Sequence, residues 1–320
     1  MFFFFLSLPL SSPAQQFGCR WIHCPRPHQS QGVWFRRTFT CDGKPREARL
    51  FVATGGMVDI LVNSRNVSTD SPVVNRGGLI SADYDITDYL RPDSNTITIE
   101  YFPADTICTD KELSATFYGI EADGRPFACT TDDTWLSRPS SRSLSSDFTE
   151  ALDATAYPFI WHSASREDYP CALWVAASCA ANASPKHVDD GSPALTVATT
   201  TPDSYSHPQL SRSQRYFDTT GDTTFYEFGT AFVGHLRLTM REARPGQLLL
   251  FGGNRYVCNG TMDEQAFTKF IPRVYRRVMV CGDKNFKREQ IQKMEGIELI
   301  GRHAEPSYPT TLWTPDWKWH

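Results

Sequence analysis

The stretch Met57-Val58-Asp59-Ile60-Leu61-Val62-Asn63 decides the fold. Val58, Ile60 and Val62 fall on one parity, Asp59 and Asn63 on the other. Successive side chains of an extended chain point to opposite faces, so the segment reads as a half-buried strand. The same period of two recurs in Ile97, Ile99 and Tyr101, in Leu236, Leu238 and Met240, and in Val274, Val278 and Val280 around Arg276. Turn signals separate these runs: Asn63-Ser64, Gly77-Gly78, Pro92-Asp93, Asp123-Gly124, Pro245-Gly246 and Gly252-Gly253. Many short strands with regular turns predict an all-β protein of two jelly-roll or galactose-binding-like sandwiches. Helix is predicted in two short places only, residues 263–270 and 284–295, the second with Glu289 four residues before Lys293.

Outward from the strands, the chain divides by composition. Residues 137–146 are Ser- and Arg-rich, and residues 176–213 lack periodicity, which predicts a linker and a division near residue 200. The expected units are a first sandwich over 17–200 with an irregular end, and a second over 201–320. Residues 2–10 form an apolar run, followed by Ser12-Pro13-Ala14, which predicts a signal peptide over 1–16 and export to the periplasm, cell surface or medium. No Lys or Arg precedes that run. It is shorter than the roughly 20 apolar residues a spanning helix needs, so no membrane span is expected.

With 320 residues, 40% hydrophobic and 21% charged, the chain has enough apolar mass for two cores. The formal net charge is -4, and the only basic run is Arg273, Arg276, Arg277, Lys284, Lys287 and Arg288. That reads as a solvated strand and turn, which argues against a nucleic-acid partner. The nine cysteines include no C-x-x-C pair and no histidine at zinc-like spacing, so neither metal nor other cofactor is expected. Cys19 and Cys24 are close enough to pair. Aromatics make up 13% of the chain, a composition that suits stacking on sugar rings as well as packing in sheets.

Several segments, taken in order, resemble a known family. They are Trp34-Phe35-Arg36-Arg37-Thr38-Phe39, Ala48-Arg49-Leu50-Phe51-Val52-Ala53, Val58 to Asn63, Tyr84-Asp85-Ile86-Thr87-Asp88-Tyr89-Leu90 and Asn95-Thr96-Ile97. This order resembles the N-terminal jelly-roll of bacterial α-L-rhamnosidases and, more loosely, the sugar-binding domain of β-galactosidases. Asp123-Gly124-Arg125 followed by Thr131-Asp132-Asp133-Thr134-Trp135 is similar to the same rhamnosidases. Phe225-Tyr226-Glu227-Phe228-Gly229, Gly234-His235-Leu236-Arg237-Leu238 and Pro245-Gly246 look like their second β domain. The family has Gly after the hairpin Asn; here Ser64 stands in its place, which questions the turn type.

The resemblance implies a glycoside-hydrolase relative acting on rhamnose-containing glycans. In such enzymes two carboxyl groups roughly 6.5–9.5 Å apart invert the sugar centre. In the family they sit in a helical barrel that follows the β domains, and no helical periodicity here supplies one, so no catalytic residue is carried over. Asp263 and Glu264 are neighbours, which on a strand point to opposite faces; at a helix start Asp263 would be an N-cap. No Gly-x-Ser-x-Gly elbow exposes a nucleophile, and Gly252-Gly253 lacks the Lys of a phosphate loop. Three Asn-x-Ser/Thr triplets occur, at Asn66, Asn182 and Asn259, relevant only in a eukaryotic secretory route. Trp313, Trp317 and Trp319 near the C-terminus need a surface to cover them.

The expected function is therefore a non-catalytic carbohydrate-binding or accessory part of a rhamnosidase-like protein, its partner a glycan or a partner hydrolase. Two alternatives stay open: an active glycoside hydrolase with an unrecognised site, and a remnant of one. Trp135, Tyr256 and Glu264 are the candidate sugar contacts, because aromatic and acidic side chains in turns suit C–H faces and hydroxyls.

Overall fold

The computed structural model describes residues 20–26, 32–68, 80–103, 111–145, 149–156, 174–179, 209–213, 216–220 and 223–298. The expected signal peptide and the tryptophan-rich tail lie outside them. The architecture is nearly all β; among the described residues its helical elements are two 3-10 turns, Thr87–Tyr89 and Arg288–Gln290.

The first sandwich faces two sheets. One runs Ser178–Cys179, Ile22–His23, Leu113–Ile120, Glu47–Thr54 and Ile80–Asp85, with Pro126–Thr130 added to Leu113–Ile120. The other runs Val175–Ala176, Leu136–Pro139, Val33–Thr40, Ser94–Pro103, Gly56–Val62 and Arg65–Asn66. Every pairing within them is antiparallel. The apolar parities predicted from the sequence meet between the sheets: Val58, Ile60, Val62, Ile97, Ile99 and Tyr101 all join one core with Phe35, Leu50 and Trp135.

The hairpin at Asn63-Ser64 keeps the tight turn despite its serine. Both residues take positive φ, 49° and 70°, the pair of left-handed conformations that a two-residue type I′ loop requires. Asn63 fixes this corner: its Nδ2 donates to the Tyr89 carbonyl and to Asn95 Oδ1, and its Oδ1 accepts from the Thr96 N–H. At the opposite edge Asp85 Oδ1 accepts from the N–H and hydroxyl of Thr87, whose Oγ1 in turn accepts from the Ala48 N–H.

The second body is built on one long strand, Thr223–Met240, which serves two layers. Residues 224–234 pair with Arg273–Gly282, while 234–240 pair with Ile291–Glu298 and 237–240 with Glu264–Phe267. Gly234 is where the pairing changes hands, opposite both Arg273 and Glu298. A Cβ there would lie 1.9 Å from the Ile297 carbonyl oxygen, so only glycine lets the strands approach. Leu236, Leu238, Phe251, Tyr256, Val280 and Met294 form the core that this fold encloses.

Two predicted helices are strands instead. Glu264–Phe267 pairs with Met240 to Arg237, and Ile291–Glu298 pairs along Thr223–Met240. Ile291, Met294 and Ile297 are spaced three apart, which imitates a helical stripe. Pairing to a central strand wins because a short uncapped helix has little intrinsic stability. Asp263 is accordingly no N-cap: it turns the chain at φ 53° and pairs with Arg241 at 2.7 Å.

The chain also passes between the bodies more than once. Arg142–Leu144 and Glu150–Asp153 join the second sheet, the latter parallel to Asn254–Val257. Val175–Ala176 and Ser178–Cys179 then return to the first. A single division near residue 200 therefore does not describe these segments; each is too short to reveal its partner through periodicity.

This threading buries both faces of one sheet. Met57 and Phe102, on the outer face of the first sandwich, pack with Phe270, and Leu144 and Ile271 flank them. The Phe102 and Phe270 rings stand 4.7 Å apart, a tilted aromatic pair. The polar parity of the opening stretch thus faces protein, not water: Asp59 is 6% exposed and Asn63 7%.

Candidate functional site

The three residues picked out by sequence occupy the interior. Trp135 follows a turn in which Asp132 accepts hydrogen bonds from the N–H and hydroxyl of Thr134 and from Arg37. Burial acts to raise the Asp132 carboxyl, but those bonds and the Arg37 charge outweigh it and hold it below the usual range. The turn thereby delivers the indole into the first core, where it is 3% exposed.

Tyr256 and Glu264 meet each other. The Tyr256 hydroxyl donates to Glu264 Oε1 at 3.0 Å, and the same carboxylate accepts the N–H groups of Asn259 (2.6 Å) and Gly260 (2.9 Å). Tyr256 is 1% exposed and Glu264 3%. Burial, then the Glu264 charge, pushes the tyrosine well above its ordinary value and the neighbouring Cys258 thiol up to about 12. The arrangement is a staple that closes the 258–263 loop, since a carboxylate aimed at backbone donors is a strong local tie. None of the three side chains presents a face to a sugar in this structure. The sequence reading placed these aromatic and acidic residues at a sugar; the fold places them beside turns that they hold.

The titratable groups that the fold does bring together lie at the junction of the two bodies. Arg142 Nη1 binds Glu150 Oε2 at 2.6 Å, and its Nε lies 3.7 Å from Glu100 Oε2. Glu100, from the first sandwich, also accepts from the Ser140 hydroxyl at 2.5 Å. Glu150 Oε1 takes the backbone N–H groups of Lys269, Phe270 and Ile271. Lys269 in turn reaches Asp59 at 3.2 Å. All three members of the triad are 3% exposed or less.

Burial dominates the chemistry of this cluster. It lifts the Glu100 carboxyl to about 7, with Arg142 and Ser140 opposing and the Asp59 and Glu150 charges adding to the rise. Nearby His235 is pushed down to about 4 by burial, despite the Glu150 charge and aided by Lys269 and Arg142. Perturbed groups of this kind mark functional sites in many proteins, and interdomain ion networks in others. Here every carboxylate oxygen named is turned onto a protein donor, so the cluster joins domains.

An open concavity lies elsewhere, on the second body. Tyr226, Arg288, Glu289, Ile291, Gln292 and Lys293 line a shallow, open cleft of about 100 Å³. The 3-10 turn Arg288–Gln290 delivers two of these groups, Arg288 and Glu289, and Gln290 anchors it by accepting from the Lys287 N–H and donating to the Glu242 carbonyl. Burial raises the Tyr226 hydroxyl to about 12, with the Arg288 charge opposing. The cleft offers two cations, a carboxylate, an amide and an aromatic floor, a set suited to a small polyhydroxylated ligand. Its residues come from the 3-10 turn, from the consecutive Ile291, Gln292 and Lys293 at the start of the next strand, and from the distant Tyr226, so no single spacing in the sequence marks the cleft.

Among the described residues no group of three or more His, Cys, Asp and Glu side chains converges as a metal site would. Among the described residues Cys24, Cys41, Cys129, Cys179, Cys258 and Cys281 are free thiols, and Cys19, the expected partner of Cys24, lies outside them. No helix among the described residues is long and apolar enough to cross a membrane.

Fold and site together define a two-sandwich β module with a buried ionic junction and a small polar cleft. No protein-family model matches the sequence, and no curated protein matches it. Solved structures do match in fold. An α-L-rhamnosidase from Aspergillus terreus aligns with a TM-score of 0.68 at 17% identity, over 91% of this chain and 37% of its own. The α-L-rhamnosidase from Dictyoglumus thermophilum aligns at 0.66 and 15% identity, over 90% and 36%. That from Streptomyces avermitilis, complexed with L-rhamnose, aligns at 0.65 and 18%, over 86% and 29%. The chain thus has the fold of a part of these rhamnosidases and spans about a third of their length.

Proposed function

We propose that the protein is an accessory module of the glycoside-hydrolase type that binds rhamnose-containing glycans without cleaving them. The observation that carries this reading is the fold shared with three rhamnosidases over 86–91% of the chain. Fold likeness alone does not transmit chemistry, so the binding part needs a site of its own. The cleft around Arg288 and Lys293 is the described surface that fits one. Arginine and lysine donate to ring hydroxyls, Glu289 accepts from them, and Tyr226 and Ile291 supply apolar contact.

The non-catalytic part is supported by the state of the buried acids. Glu100 is committed to the Ser140 hydroxyl beside Arg142, and Glu150 and Glu264 to arginine, tyrosine or backbone donors within the fold. A general acid must instead stand within hydrogen-bond reach of its substrate. Export, as the leader-like first residues suggest, completes the reading, since polymeric glycans are met outside the membrane.

A glycan array probed with the purified chain, run alongside hydrolysis of a chromogenic rhamnoside, tests the proposal. The expected result is retention on rhamnose-bearing glycans with no release of the chromophore. Release of rhamnose would establish an active hydrolase instead.

A further inference from the structure

We propose that Asn259 is an acceptor for N-linked glycosylation. Of the three Asn-x-Ser/Thr triplets, the fold describes two, and it treats them in opposite ways.

Asn66-Val67-Ser68 is folded inward. The Asn66 Nδ2 donates to Asp59 Oδ1, the Ile60 N–H is bonded to Ser68 Oγ at 2.6 Å, and Val67 and Ser68 are buried. A sugar on that nitrogen would displace the Asp59 contact and open the strand edge. Asn182 lies outside the described residues.

Asn259-Gly260-Thr261 sits at the tip of the loop between Asn254–Val257 and Glu264–Phe267. Residues 260–263 are exposed, Met262 at 81%. The Glu264 staple holds the loop by the backbone N–H groups of Asn259 and Gly260 and takes no part of the Asn259 side chain. Asn259 Oδ1 accepts from both the N–H and the hydroxyl of Thr261, each at 2.8 Å. Its Nδ2 donates to no group among the described residues. The hydroxyl that the triplet requires and the amide that it modifies are thus side by side, on a half-buried asparagine that opens an exposed loop tip. A glycan there would also cover Met262.

The step is a group transfer from a lipid-pyrophosphate-linked oligosaccharide. A bond forms between Asn259 Nδ2 and the anomeric carbon, and the bond from that carbon to the pyrophosphate oxygen breaks. The lipid pyrophosphate leaves with the electron pair, and the amide gives up one proton. The inference rests on the export proposed above, because the donor is met only in a secretory lumen.

The test expresses the full chain in a yeast secretory host behind a heterologous leader, with a reporter triplet appended at the C-terminus. Modification of the reporter shows that the chain entered the lumen. A parallel culture with the chain's own first residues reports on export alone, so the two failures are separable. The expected result is that the peptide containing Asn259 carries a glycan and, after peptide N-glycosidase in heavy-oxygen water, is recovered as aspartate with the label. Asn259→Gln and Thr261→Ala should each abolish that signal, Thr261→Ser should retain it, and Asn66→Gln should leave it unchanged. An unmodified Asn259 peptide in chains whose reporter is modified would overturn the proposal.

Discussion

At the scale of single residues, the clearest tension is Ser64. Its φ of 70° places a side chain where L residues meet their own carbonyl oxygen, a conformation that costs about 1–2 kcal/mol. Asn63 tolerates the same region and is held by three hydrogen bonds, so the strain concentrates on the serine. Ser64→Gly should therefore stabilise the protein by about 1 kcal/mol. A urea titration would show a higher midpoint with an unchanged slope, and an unchanged midpoint would contradict this account of the turn. The sequence motif itself showed this turn, because Asn-Ser between alternating runs is local chemistry. Trp135, Tyr256 and Glu264 were legible only as turn-adjacent polar and aromatic groups. Whether such groups face out or in depends on partners such as Asn259 and Gly260 that the turn brings within reach.

Elements were legible where they pack on one face and obscure where they serve two. The Val58-Ile60-Val62 and Ile97-Ile99-Tyr101 parities found their core as predicted. The opposite parity, Asp59 and Glu100, is also buried, because the second body covers that sheet with Lys269, Phe270 and Arg142. A buried carboxylate paired across a domain junction looks, in sequence, like a solvated one. The strands Arg142–Leu144 and Glu150–Asp153 escaped notice for the related reason that three or four residues carry no period. Together they bring Arg142 and Glu150 to Glu100. Removing the arginine alone would strand two buried carboxylates, and breaking such a pair typically costs about 3–5 kcal/mol. Arg142→Met should lower stability by that amount in a denaturant titration. A loss below about 1 kcal/mol would show that the triad contributes little to joining the two bodies.

At the scale of the whole molecule, the junction sets the pH response. Glu100 titrates at about 7 in the folded chain against an ordinary 4.5, so the native state holds its extra proton between those values. That contribution is complete below pH 4.5 and is lost as pH rises through 7. His235 titrates at about 4 against 6.5, so its contribution is complete above pH 6.5 and is lost as pH falls through 4. Between 4.5 and 6.5 the two slopes oppose, and the wild type should be nearly flat there. Glu100→Gln leaves only the histidine. Its stability should climb by about 3 kcal/mol from pH 4 to 6.5, at about 1.4 kcal/mol per pH unit. Thermal melts across that range would show it, and parallel curves for variant and wild type would contradict the assignment.

The most direct measurement of the central claim is a calorimetric titration of a rhamnose-bearing oligosaccharide into the full chain and into an Arg288→Ala/Lys293→Ala variant. The account predicts saturable heat for the wild type at millimolar sugar or below, its loss in the variant, and recovery of the oligosaccharide intact. No heat at millimolar sugar, equal heat in both proteins, or free rhamnose at the end of the titration would contradict it.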